Sequence, residues 1–227
     1  MTTVLIAGAN RGLGLEFARQ YAADGATVIA GVRKPDQATE LKAITGGVQV
    51  HQLDLTDPAS VAAFKQAVGD TPVDIVIANA GVSGPGGQQR LGELDYDGWL
   101  NTFAVNTLGP VRLAEAMADN LKRGSDKKLV AITSQLGSTE ENTGGFFAYR
   151  SSKAALNNAW RGIAAALKDD GVTVVVMHPG WVQTDMGGQG ASLKPPESIG
   201  GMRRVIAGLR SADTGRFYNY DGSERPW

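Results

Sequence analysis

Short runs of this chain are apolar at almost every position: Thr3–Ala7, Thr27–Val32, Val48–Leu53, Val73–Ala78, Lys128–Thr133 and Thr173–His178. A strand with one wet face alternates apolar and polar side chains. A run without alternation predicts a strand covered on both faces, as in a parallel sheet between two helix layers. The intervening segments suit helices: Leu13–Ala23, Pro35–Ala43, Pro58–Val68, Tyr96–Leu121, Phe147–Lys168 and Glu197–Leu209. Regular alternation of strand and helix predicts an α/β fold, a doubly wound parallel sheet of the Rossmann type with helices on both faces. A last short strand is expected at Gly215–Tyr220. Punctuation supports the boundaries. Asp57-Pro58 supplies an N-cap followed by proline at the first helical position, and Gly171 follows Lys168-Asp169-Asp170 where a C-terminal glycine belongs.

No linker or charge block divides the 227 residues, so one domain over 1–227 is expected. Gly84-Pro85-Gly86-Gly87 and Gly187-Gly188-Gln189-Gly190 read as mobile loops. A net charge of -1 provides no basic field for nucleic acid and no polybasic membrane anchor. The absence of cysteine excludes disulfides, thiolate metal sites and cysteine nucleophiles. With only His51 and His178 present, no multi-histidine metal site is expected. The first apolar run lacks a basic flank and ends in glycine, so it reads as a strand rather than a signal peptide. No apolar stretch is long enough to cross a bilayer, and a cytoplasmic location is expected.

The first strand runs into Gly8-Ala9-Asn10-Arg11-Gly12-Leu13-Gly14 and then a helix. Glycines permit positive φ and close approach of backbone to a phosphate; the helix N-terminus adds free N–H donors. A tight strand–helix turn is the bland alternative, but the position after the first strand favours a dinucleotide. An NAD site is expected to carry Asp or Glu near the end of the second strand, and here that place holds Val32-Arg33. Arg33, with Arg11, suits a 2′-phosphate, which favours NADP over NAD unless both are merely solvated surface arginines.

Tyr149-Arg150-Ser151-Ser152-Lys153 opens a helix, and its first and last members share a face. An ammonium beside a phenol is expected to lower the phenol pKa and make it a usable general acid or base. Alone, such a spacing is commonly an accident of helix sequence. Ser134 closes the fifth apolar run, where its hydroxyl is expected to face a cleft; Ser138 is a weaker substitute. Asn106 lies inside a helical segment that it does not favour. It reads either as an exposed residue or as one that bends the helix and holds a water in a proton chain.

Taken together, these residues resemble the short-chain dehydrogenase/reductase family over nearly the whole chain. Gly8, Gly12 and Gly14 match its cofactor glycines, although Ala7 stands where the family usually has threonine. Asp54 matches the acidic residue that holds the adenine amino group, and Asn79-Ala80-Gly81 the motif after the fourth strand. Asn106, Ser134, Tyr149 and Lys153 match the catalytic tetrad; Pro179-Gly180 and Thr184 match the nicotinamide-contacting segment. The resemblance also implies cofactor contacts from Asn10, Leu13, Leu55 and Val182, and from Tyr149 and Lys153, the latter on the nicotinamide ribose. It implies a cofactor half at about 1–135 and a catalytic and substrate half at about 136–227. The loop and the ending Tyr218-Asn219-Tyr220-Asp221-Gly222-Ser223 with Pro226-Trp227 are similar to a narrower group of carbonyl reductases and C-factor-like proteins. That likeness implies NADP and a small-molecule carbonyl or alcohol substrate. Thr184 to Pro196 is short for the family's lid, which does not suit a steroid-sized pocket.

Trp181 and Met186 are candidate substrate neighbours, and Trp181 equally suits core packing. Phe146 and Phe147 either border the substrate or staple the catalytic helix, and His178 is either substrate-facing or a hydrogen-bonded strand end. Relatives of this kind associate through the two long helices as homodimers or homotetramers, while some are monomers. Two rival functions stand beside the reductase. One is a dinucleotide-binding sensor or signalling protein with little turnover. The other is a serine hydrolase using Ser134, which lacks a G-x-S-x-G elbow and a histidine partner.

Overall fold

The computed structural model describes residues 1–85 and 90–227, so Gly86 and Gly87 of the expected first loop lie outside the described residues. Each apolar run is a strand: β1 (Thr3–Ala7), β2 (Thr27–Val32), β3 (Val48–Gln52), β4 (Ile75–Ala78), β5 (Lys128–Ile132) and β6 (Thr173–His178). β7 (Phe217–Asn219) is the expected short last strand. They form one parallel sheet in the order β3-β2-β1-β4-β5-β6-β7.

The strands carry apolar side chains on both faces because each face has its own core. Val4, Ile6, Val28, Ile77, Val130 and Met177 pack on one side with Phe17 and Tyr21 of helix α1 (Gly12–Ala23) and Met202 and Ile206 of α7 (Pro195–Gly208). Leu5, Ile29, Val76, Leu129 and Val174 point to the other side. There they meet Phe64 of α3 (Pro58–Val68), Leu113 and Met117 of α5 (Gly109–Arg123), and Trp160 of α6 (Phe147–Ala166). Burying a side chain such as Leu113 or Met117, both at 0% exposure, contributes about 2–3 kcal/mol each.

Two expected helices are broken. Pro35–Ala43 divides into a 3₁₀ turn (Pro35–Gln37) and the single turn α2 (Thr39–Lys42), because buried Ala38 leaves the helical region at ψ 53. Tyr96–Leu121 divides into α4 (Tyr96–Phe103), a π turn (Ala104–Leu108) and α5. Pro110 has no N–H with which an uninterrupted α-helix would satisfy the Asn106 carbonyl, and the π turn relieves that defect. The strand order reverses between β1 and β4, so a crevice opens there at the carboxyl ends of the strands, where ligands bind in such sheets.

Candidate active site

The loops at these carboxyl ends bring the singled-out residues together. Gly8 takes φ +81 and Gly12 φ +54. A Cβ on Gly8 would lie 2.8 Å from Ala80 Cα, and one on Gly14 only 2.1 Å from the Gly8 oxygen and 2.6 Å from Asn79 Nδ2. Asn79 Nδ2 donates to the Gly8 oxygen at 3.0 Å, stapling the segment after β4 to the glycine turn. α1 follows with no capping side chain, so the N–H groups of its first turn, at Gly12, Leu13 and Gly14, are left for an incoming acceptor. This bare, uncapped cradle fits a pyrophosphate.

Arg33, beyond β2, and Asn10 are exposed at the same edge. Arg11 is exposed too, but its guanidinium pairs with Asp185 at 2.8 Å instead of standing free. Asp54 Oδ1 accepts from both the N–H and the hydroxyl of Thr56, which hold its carboxyl below the usual range. Its other oxygen keeps the capacity to accept from an amino group. Leu55 beside it is buried, and its carbonyl accepts from Arg112 at 3.0 Å.

Tyr149 and Lys153 face each other. Lys153 Nζ lies 5.9 Å from the Tyr149 ring centre and donates to the Ile132 carbonyl at 2.9 Å. Ser134, at the end of β5, is 8% exposed, and its hydroxyl accepts from Leu136 N–H at 3.2 Å. The expected electrostatics need correcting. Burial pushes the Tyr149 phenol up, with the Ser134 hydroxyl pulling part of the way back, and burial pushes Lys153 down to about 8. Helical spacing predicts proximity of ammonium and phenol; it does not register that the fold encloses Lys153 and half-buries Tyr149, and desolvation disfavours each charged form.

Asn106 is fully buried in the π turn rather than exposed. Its Oδ1 accepts from Val82 N–H at 2.8 Å, while Nδ2 donates to the Val82 carbonyl at 2.9 Å and to Ser152 Oγ at 3.0 Å. A Cβ on Gly81 would meet both Asn106 Oδ1 at 3.4 Å and Lys153 Nζ at 3.6 Å, so the three groups converge on one point. Ser138 does not replace Ser134: its hydroxyl donates to the main-chain oxygen of Trp227 at 3.2 Å.

The segment after β6 closes the arrangement. Gly180 adopts φ +81, and a Cβ there would lie 2.3 Å from Leu193 Cδ1. It follows part-buried Pro179, and buried Val182 bridges Leu193. Thr184 reaches the glycine loop, where a Cβ on Gly12 would lie 3.5 Å from its methyl. Gly187–Gly190, expected to be loose, is tied in: Gly187 N–H donates to Thr184 Oγ1 at 3.1 Å, and the Gly187 oxygen accepts from Trp181 Nε1 at 2.8 Å. Trp181 and Met186 are 57% and 51% exposed, so Trp181 is not core. Phe147 packs near Trp99, with ring centres 6.4 Å apart, and exposed Phe146 precedes α6 at φ 47. His178 is buried, its Nδ1 has no partner, and burial with Arg225 nearby holds it down at about 4.

Sequence reasoning missed Ser152, Thr107 and Asn157. Thr107 Oγ1 donates to the Ser152 carbonyl at 2.8 Å, and Asn157 accepts from Thr133 Oγ1 at 2.7 Å. Their signal was polar side chains on an otherwise apolar helix face. A concavity of about 380 Å³ lined by Met1, Tyr21, Ile75 and Arg203 lies at the opposite, amino-terminal edge of the sheet and touches none of these residues. Among the described residues no cluster of metal-ligating side chains occurs, and no helix is long and apolar enough to cross a membrane.

The short chain dehydrogenase family matches residues 2–192. The chain belongs to that family. It is 48% identical to the C-signal of Myxococcus xanthus over 166 residues, which is 73% of this chain and 99% of that protein. The carbonyl reductase Sniffer of D. melanogaster superimposes with a TM-score of 0.90 at 32% identity, covering 100% of both chains. An NADPH-bound carbonyl reductase from chicken fatty liver gives 0.92 at 30% identity, covering 100% of this chain and 99% of that one. This short-chain dehydrogenase therefore shares its whole architecture with carbonyl reductases, one of which holds NADPH.

Proposed function

We propose that the chain reduces an aldehyde or ketone to an alcohol with NADPH, reversibly, with Tyr149 as general acid in one direction and general base in the other. The cofactor half runs to about residue 135 and the catalytic half follows. One observation carries the reading: half-buried Tyr149 and buried Lys153 face each other beside an uncapped glycine cradle.

Gly8, Asn10, Gly12, Leu13 and Gly14 would hold the pyrophosphate; Asp54 and Leu55 the adenine; Asn79, Ala80 and Gly81 the nearer ribose. Pro179, Gly180, Val182 and Thr184 would hold the nicotinamide end. Arg33, joined by Arg11 once it leaves Asp185, supports NADP over NAD. When bound, NADPH supplies the hydride that reaches the carbonyl carbon. Tyr149 gives its proton to the developing alkoxide. A phenol pushed up by burial is protonated at neutral pH, which suits the reducing direction. Ser134 orients the carbonyl oxygen, and Lys153 and Asn106 return a proton to Tyr149 by way of water. Phe147, Trp181 and Met186 border the substrate.

The likeness to the C-signal favours a second reading, a dinucleotide-binding signalling protein with little turnover. Steady-state NADPH oxidation with a panel of aldehydes, ketones and quinones separates the two. Turnover supports the reductase; tight NADPH binding with no turnover on any of them supports the signalling protein.

A further inference from the structure

Ser134 and Tyr149 are joined by a loop, 135–146, whose two ends both enter the proposed site. The loop's inner side leans on the catalytic helix: a Cβ on Gly137 would lie 2.9 Å from Lys153 Cβ, and Asn157 Nδ2 donates to the Gly137 carbonyl at 3.2 Å. Its far part is held more sparsely: Thr143 Oγ1 accepts from Arg150 Nη2 at 3.3 Å, while Gly144 and Gly145 take positive φ with open space beside both. Between these parts the loop is gripped from outside by the segment that follows β7. The main-chain oxygen of Trp227 accepts from Ser138 Oγ at 3.2 Å, from the N–H and hydroxyl of Thr139 at 3.1 Å each, and from Glu140 N–H at 3.1 Å. Arg225 pairs with Glu141 and donates to Asn219 Oδ1.

The gripping segment is itself anchored. Arg225 N–H donates to the Phe217 carbonyl at 2.8 Å, folding the chain back along β7. The Trp227 ring lies 5.7 Å from that of Phe217 and 4.9 Å from the Arg161 guanidinium on α6. Sheet and catalytic helix meet the Trp227 ring and the loop meets its main-chain oxygen, so the three are tied through one residue.

We infer that Trp227 and Arg225 are positioning residues: the segment after β7 clamps the Ser134 loop, and so sets where the Ser134 hydroxyl stands relative to Tyr149. Neither residue touches the reacting groups. The inference rests on the reductase reading for its kinetic part alone. Ring packing holds the Trp227 backbone in place, and that backbone supplies the acceptor for residues 138–140. Loss of the ring lets the loop drift, and displacements near 1 Å at a catalytic group cost up to ~100-fold in rate.

The test compares wild type, Trp227→Ala, Trp227→Phe and the double variant Ser138→Ala/Thr139→Val in the full chain. The readouts are kcat and KM for a carbonyl substrate, NADPH affinity by fluorescence, and hydrogen exchange over 134–141. Trp227→Ala is expected to lower kcat by ~10-fold or more, to leave NADPH affinity within about twofold, and to speed exchange over 134–141. Trp227→Phe, which keeps an aromatic wedge, is expected to recover most of kcat. The double variant, which keeps the ring but removes two donors to the Trp227 oxygen, is expected to show the same split in milder form. Wild-type kcat in Trp227→Ala despite faster exchange overturns the clamp. So does a double variant whose kcat and NADPH affinity fall together, since that marks general loosening. If wild type turns over no carbonyl, the reductase reading fails separately. The clamp is then judged on exchange alone, and unchanged exchange over 134–141 in Trp227→Ala overturns it.

Discussion

Replacing Lys153 by methionine should make the protein more stable at neutral pH while abolishing its turnover. Lys153 is 4% exposed, and burial holds its pKa at about 8 against 10.5. That lowering means that keeping the ammonium charged inside the fold costs about 3 kcal/mol at pH 7. Methionine removes that cost but leaves the Ile132 carbonyl without its donor, a loss of ~1–2 kcal/mol. The net expectation is a gain of ~1–2 kcal/mol. The sign with pH follows from linkage. The folded pKa lies below the unfolded one, so between about 8 and 10.5 the unfolded chain binds more protons and raising the pH stabilises wild type. Methionine cannot titrate, so the gap between variant and wild type should close across that window. Urea unfolding of both proteins at pH 7, 8, 9 and 10, read at constant m, measures it. A variant less stable than wild type at pH 7, or a gap flat from pH 7 to 10, refutes the reasoning.

Three further outcomes are expected. Gly14→Ala places a Cβ 2.1 Å from the Gly8 oxygen, so NADPH affinity should fall by at least ~10-fold in a fluorescence titration, with secondary structure by circular dichroism kept. Asn106→Leu leaves the part-buried Val82 N–H and carbonyl without their partner and should cost ~1–3 kcal/mol in urea unfolding; an unchanged midpoint contradicts the pairing described. His178 has a folded pKa of about 4 against 6.5, so its contribution is present above 6.5 and is lost as pH falls toward 4. By the same arithmetic wild type should lose up to ~3 kcal/mol over that range relative to His178→Gln, and parallel stability curves would argue against it.

Much of this was legible in the sequence because its cause is local. Strands buried on both faces need apolar residues at consecutive positions, and Val4-Leu5-Ile6-Ala7 can be read that way before any core is seen. The glycine turn was legible because positive φ and close approach leave few other residues. The π turn was not: Asn106 looked out of place in a helix, but its pairing with Val82 comes from a loop distant in sequence. The direction of the Tyr149 shift was hidden for the same reason, since a spacing of four puts two side chains on one face without saying how much water remains around them. Likewise the Arg11–Asp185 pair and the Trp227 contacts join residues far apart in sequence, which no local pattern records.

The most direct measurement is steady-state and NADPH-binding analysis of Tyr149→Phe with any carbonyl the wild type reduces. The account predicts kcat lowered by ~100-fold or more with the NADPH dissociation constant essentially unchanged, because only the proton donor is removed. Turnover at the wild-type rate would show that the proton comes from elsewhere, and the assignment of this site would fail.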